Sequence, residues 1–146
     1  MDMKDHIQRI CQTSVGLLHS IADVRPFITY DAAEKLIHAF ITSRLDYCNS
    51  LLYNIPDSLF QKLEKVQKMA ARVLTRKRKY DHITPTLKKL HWLPVKSRVI
   101  YKLMLLTYRA LHGSAPQYIS DMLTPYTPTR ALRYSGGMTL LKLLPV

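Results

Sequence analysis

Basic side chains recur at intervals of three and four residues in the middle of the chain, and a run of four follows directly. The eight residues are Lys62, Lys65, Lys68, Arg72, Arg76, Lys77, Arg78 and Lys79. Intervals of three and four align side chains along one side of an α-helix. Ammonium and guanidinium groups in such a row bind phosphates, so the sequence predicts these eight as nucleic-acid-binding residues with little sequence preference.

The distribution of charge favours a polyanionic partner over an ordinary solvated helix face. Residues 1–61 hold five basic and seven acidic residues, whereas residues 62–146 hold seventeen basic and three acidic residues. A one-sided basic surface binds nucleic acid or an acidic membrane face. Binding to a membrane is the weaker of these two alternatives, because the exposed apolar face that membrane binding requires is needed for the core. Tyr80, Trp92, Tyr101 and Tyr108 lie among the cations, where they could stack on unpaired bases, although the last two tyrosines would equally suit a core.

Other residue types do not assemble into a catalytic or metal centre. Asp46 has no second carboxylate nearby, as a two-metal site requires, and is expected to pair with Arg44 or a neighbouring helix. His82 and His91 flank a short predicted helix without a third ligand, so capping or packing roles are favoured over zinc. The two cysteines are expected to act as small buried hydrophobes. The sequence therefore predicts no enzyme activity of its own, no metal and no cofactor.

Apolar spacing of three and four residues, with capping residues and prolines, predicts the helices that carry these side chains. They cover residues 4–22, a segment from a cap at Thr29 or Asp31 to Leu52, and residues 57–74, 84–90, 95–112 and 115–123. No stretch alternates with period two, so strands are not expected. The sequence predicts an all-α fold, a small bundle of about five to six helices over 1–123, with an irregular, mobile tail over 124–146.

Targeting signals are not apparent. The N-terminal residues 1–6 are charged and lack the apolar core of a signal peptide, and no apolar run reaches the roughly 18 residues that span a bilayer. We therefore expect the protein inside the cell, in the cytoplasm, the nucleus or both.

Six segments in unbroken order resemble the region downstream of the polymerase domain in LINE-type non-LTR retrotransposons. They are LIHAFITSRLDYCNSLLY (36–53), LEKVQKMAAR (63–72), YDHITP (80–85), LHWLPV (90–95), LLTYRALHG (105–113) and APQYISD (115–121). The similarity covers about residues 4–133, and several long ordered matches are more specific than one short motif. The sequence diverges from the family after Arg133, and the start codon falls inside what would be a larger reading frame. We therefore expect a fragment of a decayed or truncated element.

The resemblance implies a helical, thumb-like segment of a reverse transcriptase that helps to hold the template–primer duplex. Catalysis would occur elsewhere, since the family's Tyr-x-Asp-Asp turn and its endonuclease residues have no counterpart in this sequence. The implied partners are RNA or DNA and the polymerase domain of the parent element. The alternative is a helical protein-interaction or structural remnant, without independent activity, that self-associates through apolar surface left by the missing polymerase.

Overall fold

The computed structural model describes residues 3–126 and 140–143 of the 146-residue chain. Its α-helical segments are Met3–Val24 (α1), Tyr30–Ile37 (α2), Ser43–Asp46 (α3), Asp57–Thr75 (α4), Thr84–Lys89 (α5), Val95–Leu111 (α6) and Gln117–Ser120 (α7). The π-helical turn His38–Thr42 joins α2 to α3 in one continuous helix, which makes six helices in the described chain. The predicted all-α fold class is confirmed.

The second predicted helix ends earlier than its apolar pattern indicates. Thr29 caps its start by accepting a hydrogen bond from the Ala32 amide at 3.2 Å, but the helix ends at Asp46 instead of Leu52. Cys48 has φ +49°, a left-handed conformation that cannot continue a right-handed helix. The 3₁₀ turn Asn49–Leu52 follows and buries Leu52 while Cys48 is exposed. The expectation that Cys48 is a buried hydrophobe is therefore wrong.

The described residues fall into two compact units, divided between Lys102 and Leu103. In the first unit, α1 packs against α4 with the two helices running in the same direction. At one end Lys62 is close enough to Cys11 to affect its pKa, and at the other end Arg25 bonds to Leu74. The continuous helix over 30–46 connects α1 to α4, and both of these helices contact it. The unit is therefore organised around one shared apolar core.

Heptad-like spacing on α1 and α4 explains why the two helices pack along their length. The buried positions of α1 are Ile7, Ser14, Leu18 and Ile21, and those along the matching face of α4 are Leu59, Leu63, Val66, Ala70 and Leu74. Val95 and Val99 of α6 complete the same cluster, and Trp92 is partly buried against it, as the sequence predicts. Burial of each of these larger side chains contributes about 1.5–3 kcal/mol.

In the second unit, α6 ends at Leu111 and Gly113 follows with φ +66°. This left-handed residue is the helix terminator that the sequence predicts. Two four-residue strands, Leu123–Tyr126 and Leu140–Leu143, pair antiparallel, with Leu123 opposite Leu143. The sequence pattern did not predict them. The rest of the predicted tail lies outside the described residues, and the division at residue 123 stays a prediction. Among the described helices, none has the length and apolarity needed to cross a bilayer.

A buried arginine ties the end of α1 to the end of α4. Arg25 is 8% exposed, and its Nε and Nη2 donate to the Leu74 carbonyl at 3.1 and 3.0 Å. Its Nη1 donates to the Ile28 carbonyl at 3.1 Å. The last carbonyls of a helix have no partner within the helix, so this guanidinium satisfies a buried acceptor at the C-terminal end of α4.

We expect Arg25→Met to lower the free energy of unfolding by about 2–3 kcal/mol, because the Leu74 carbonyl stays buried without a donor. Urea denaturation followed by circular dichroism measures the change. Arg9→Met is the matched control, since Arg9 is exposed on α1 and such a substitution changes stability by less than about 0.5 kcal/mol. Equal stability of the two variants would contradict this assignment.

Candidate nucleic-acid interface

Helix α4 presents its cations on the flank beside its buried face. Its apolar positions pack into the core, so its rotation about its own axis is fixed. Lys62 and Lys65 are exposed, whereas Lys68 and Arg72 are half-buried. We call these four residues the basic row. Their three- and four-residue spacing keeps them one turn apart along a helix of 5.4 Å pitch, as the sequence predicts.

The three lysines of the basic row have no acidic partner in the described part of the chain. The ion pairs formed there are Lys35 with Asp31, Lys96 with Asp57, and Arg98 with Asp46. Lys62 acts on Cys11 of α1: burial raises the pKa of the Cys11 thiol, and the nearby ammonium group lowers it by a smaller amount. Partly buried lysines extend an aliphatic stem along apolar surface and keep the charged head in water. These heads are therefore available to a ligand.

The two arginines at the C-terminal end of α4 are anchored to main-chain carbonyls. Arg72 Nη2 donates to the Asp81 carbonyl at 3.3 Å, while its Nε is buried without a hydrogen-bond partner. Arg76 Nη2 donates to the Arg25 carbonyl at 2.8 Å. Arg76 itself is the left-handed residue that ends α4, with φ +55°. Its amide and that of Lys77 both donate to the Arg72 carbonyl, a Schellman-like helix end.

Residues 76–79 form what we call the basic turn, and all four side chains are exposed. The Asp81 carboxylate folds back to accept a hydrogen bond from the Arg78 amide at 2.8 Å. Asp81 is the one acidic residue between Glu64 and Asp121, so it offsets only a small part of the positive charge. The basic turn therefore extends the basic row beyond the end of α4.

The aromatic residues that lie among the cations in the sequence differ in their accessibility. Tyr80, directly after the basic turn, is 93% exposed, and Tyr101 and Tyr108 are 61% and 60% exposed. The alternative that the last two belong to the core is thus wrong. Trp92 is partly buried and meets His38 edge-on, with ring centroids 5.8 Å apart. Tyr80 is the aromatic ring best placed in sequence and exposure to contact a base beside the basic turn.

The remaining candidate residues are one ion-paired carboxylate and two histidines. Asp46 Oδ2 pairs with Arg98 Nη1 of α6 at 2.6 Å, which confirms the expected pairing with a neighbouring helix. His82 is exposed, and His91 lines a 210 Å³ cavity together with His38, Trp92 and Arg98. Within residues 3–126 and 140–143, no cluster of three or more histidine, cysteine or acidic residues could hold a metal ion.

Sequence reasoning missed Arg25. A single arginine before a proline carries no local signal of burial, and its partner Leu74 lies 49 residues away.

Comparisons with models of protein families, with curated proteins and with solved structures find no match to this chain. The interpretation of this surface therefore depends on its own charge, exposure and geometry. A row of cations with few acidic neighbours is suited to binding a polyanion.

Proposed function

We propose that this chain is a non-catalytic region of a retroelement RNA-directed DNA polymerase that binds template–primer nucleic acid through its phosphates. The observation that carries the proposal is the basic row, whose lysines have no acidic partner in the described chain. Because α4 is held by its buried face, the row stays aligned, and it continues into the basic turn.

The chemistry of the row favours binding that is insensitive to base sequence. Lysine ammonium groups are mobile point charges, and they contact phosphates without reading base edges. Each phosphate that they neutralise releases condensed counterions, which makes the affinity strongly dependent on salt. The exposed ring of Tyr80 adds a surface on which an unpaired base can stack.

The resemblance to the region after the polymerase domain in LINE-type elements supports the proposed origin. In that setting the polymerase domain would supply the catalytic aspartates, and this region would help to hold the duplex in register. Nucleic acid and the polymerase domain are then its partners, in the cytoplasm or the nucleus.

The salt dependence of binding tests this function. For about six phosphate contacts, log K falls against log salt with a slope of roughly −5. Neutralising the three row lysines together, by Lys62→Gln, Lys65→Gln and Lys68→Gln, should reduce the magnitude of the slope by roughly 2.7. Fluorescence anisotropy titrations of an RNA–DNA hybrid and of duplex DNA, over a range of salt concentrations, measure it.

The control for this experiment is Lys35→Gln, which removes one positive charge from α2. Lys35 pairs with Asp31 across exposed surface, so its loss should leave the slope unchanged. A triple variant that binds with the same slope as the unaltered chain would rule out the basic row as the contact surface. Absence of any salt-dependent binding would rule out the function.

An apolar surface favours the second candidate function, a protein-interaction remnant. Tyr47 and Leu51 are 77% and 68% exposed, and both line a 260 Å³ cavity with Met3, Ile10 and Leu63. Apolar side chains clustered at a surface cavity are typical of a contact with another protein.

Sedimentation velocity over a range of protein concentrations tests the second candidate. If this surface drives self-association, the sedimentation coefficient should rise with concentration, and Leu51→Lys should abolish the rise. A monomer at every concentration would contradict self-association. The salt titrations are independent of this result, because Leu51 is not part of the basic row.

A further inference from the structure

Four cations line one cavity at the C-terminal end of α4. The cavity has a volume of about 330 Å³, and its charged lining consists of Arg25, Arg72, Arg76 and Lys77. Apolar residues of α1, of the 3₁₀ turn Arg25–Phe27 and of α4 form the rest of its wall, and no acidic residue lines it. This volume is well above the roughly 10–15 Å³ that a cavity needs to hold one water molecule. It can therefore hold an oxyanion group together with part of its hydration.

The three guanidinium groups are fixed before any ligand arrives. Arg25 is bonded to the carbonyls of Leu74 and Ile28, Arg76 to the carbonyl of Arg25, and Arg72 to that of Asp81. Neutral carbonyls orient these side chains without cancelling their charge. Ordering a flexible side chain costs roughly 0.5–1.5 kcal/mol on binding, so this arrangement lowers the cost of forming a site.

Enough donors remain for a tetrahedral oxyanion. A guanidinium group has five N–H donors. Arg72 and Arg76 each use one of them in the bonds described above, and Arg76 and Lys77 are exposed at the rim. Asp23 is the acidic residue nearest to the lining in sequence, but it is exposed and does not line the cavity. The Asp81 carboxylate accepts a hydrogen bond from the Arg78 amide. The cavity is therefore surrounded by positive charge, and the exposed side chains of Arg76 and Lys77 keep donors for a ligand.

We propose that this cavity binds a terminal phosphate monoester, such as the 5′-phosphate of a nucleic-acid strand that lies along the basic row. This inference rests on the proposed function and specifies which chemical group binds at one end of the nucleic-acid strand. An internal phosphodiester carries a single negative charge, whereas a phosphate monoester carries about −1.5 to −2. Four cations around one open cavity favour the ligand of higher charge. The basic row then contacts the following phosphates, and the arginines set the position of the strand end.

The test compares two single-stranded oligonucleotides of one sequence, one with a 5′-phosphate and one with a 5′-hydroxyl, both labelled at the 3′ end. Fluorescence anisotropy with the full chain should show about tenfold tighter binding of the 5′-phosphate, the gain expected from one added charge-assisted contact. A double variant, Arg76→Gly with Lys77→Gln, should reduce this ratio to near one. Glycine suits the left-handed position 76, so the end of α4 keeps its geometry.

Lys62→Gln with Lys65→Gln serves as the matched control, since it also removes two positive charges. It should weaken binding of both oligonucleotides by the same factor and leave their ratio unchanged. Equal affinity of the unaltered chain for both oligonucleotides would overturn the proposal. So would a ratio that survives in the Arg76→Gly, Lys77→Gln variant.

Titration with inorganic phosphate separates this site from the proposed function. In NMR spectra of the full chain, saturable amide shifts confined to residues 72–77 and to Arg25 would support the site even if no oligonucleotide bound. Absence of such shifts would overturn the site. Failure of the proposed function has a different signature, namely no salt-dependent binding of either oligonucleotide.

Discussion

The packing of α1 against α4 is the contact on which the placement of charge depends. Leu63, Val66 and Leu74 are buried in this contact, and a helix anchored along one face cannot rotate about its axis. The adjacent flank must then face outward, and that flank carries the basic row. In proteins most of the stability of a helix comes from tertiary packing of its apolar face, so this packing is what turns the sequence pattern of α4 into a fixed surface.

Arginines and lysines have separate roles at this surface. Arg25, Arg72 and Arg76 donate to main-chain carbonyls, which ties the ends of α1 and α4 to the turn that follows. The lysines of the basic row have no such bonds in the described chain. A planar guanidinium with five donors can satisfy a carbonyl and still bind an anion, whereas an ammonium group acts as a mobile charge. The same end of α4 can thus be both a structural joint and a binding site.

Local rules predicted much of this architecture from the sequence. The cap at Thr29, the terminator Gly113 and the apolar face of α4 each depend on residues within a turn or two of each other. The basic row follows from the same periodicity. The end of the second helix was not predictable, because its apolar spacing continues to Leu52 while the chain turns at Cys48. The burial of Arg25 depends on Leu74, which is distant in sequence, and no local pattern encodes that contact.

Under the proposed function, the placement of charge on α4, more than the net charge of the chain, determines how strongly nucleic acid binds. A charge-transposition variant tests it most directly. Lys62, Lys65 and Lys68 are replaced by glutamine, and the exposed α1 residues Gln8, Gln12 and Thr13 are replaced by lysine, so the net charge stays at +12. The account predicts that the magnitude of the salt slope for an RNA–DNA hybrid falls by roughly 2.7. An unchanged slope and affinity would contradict it.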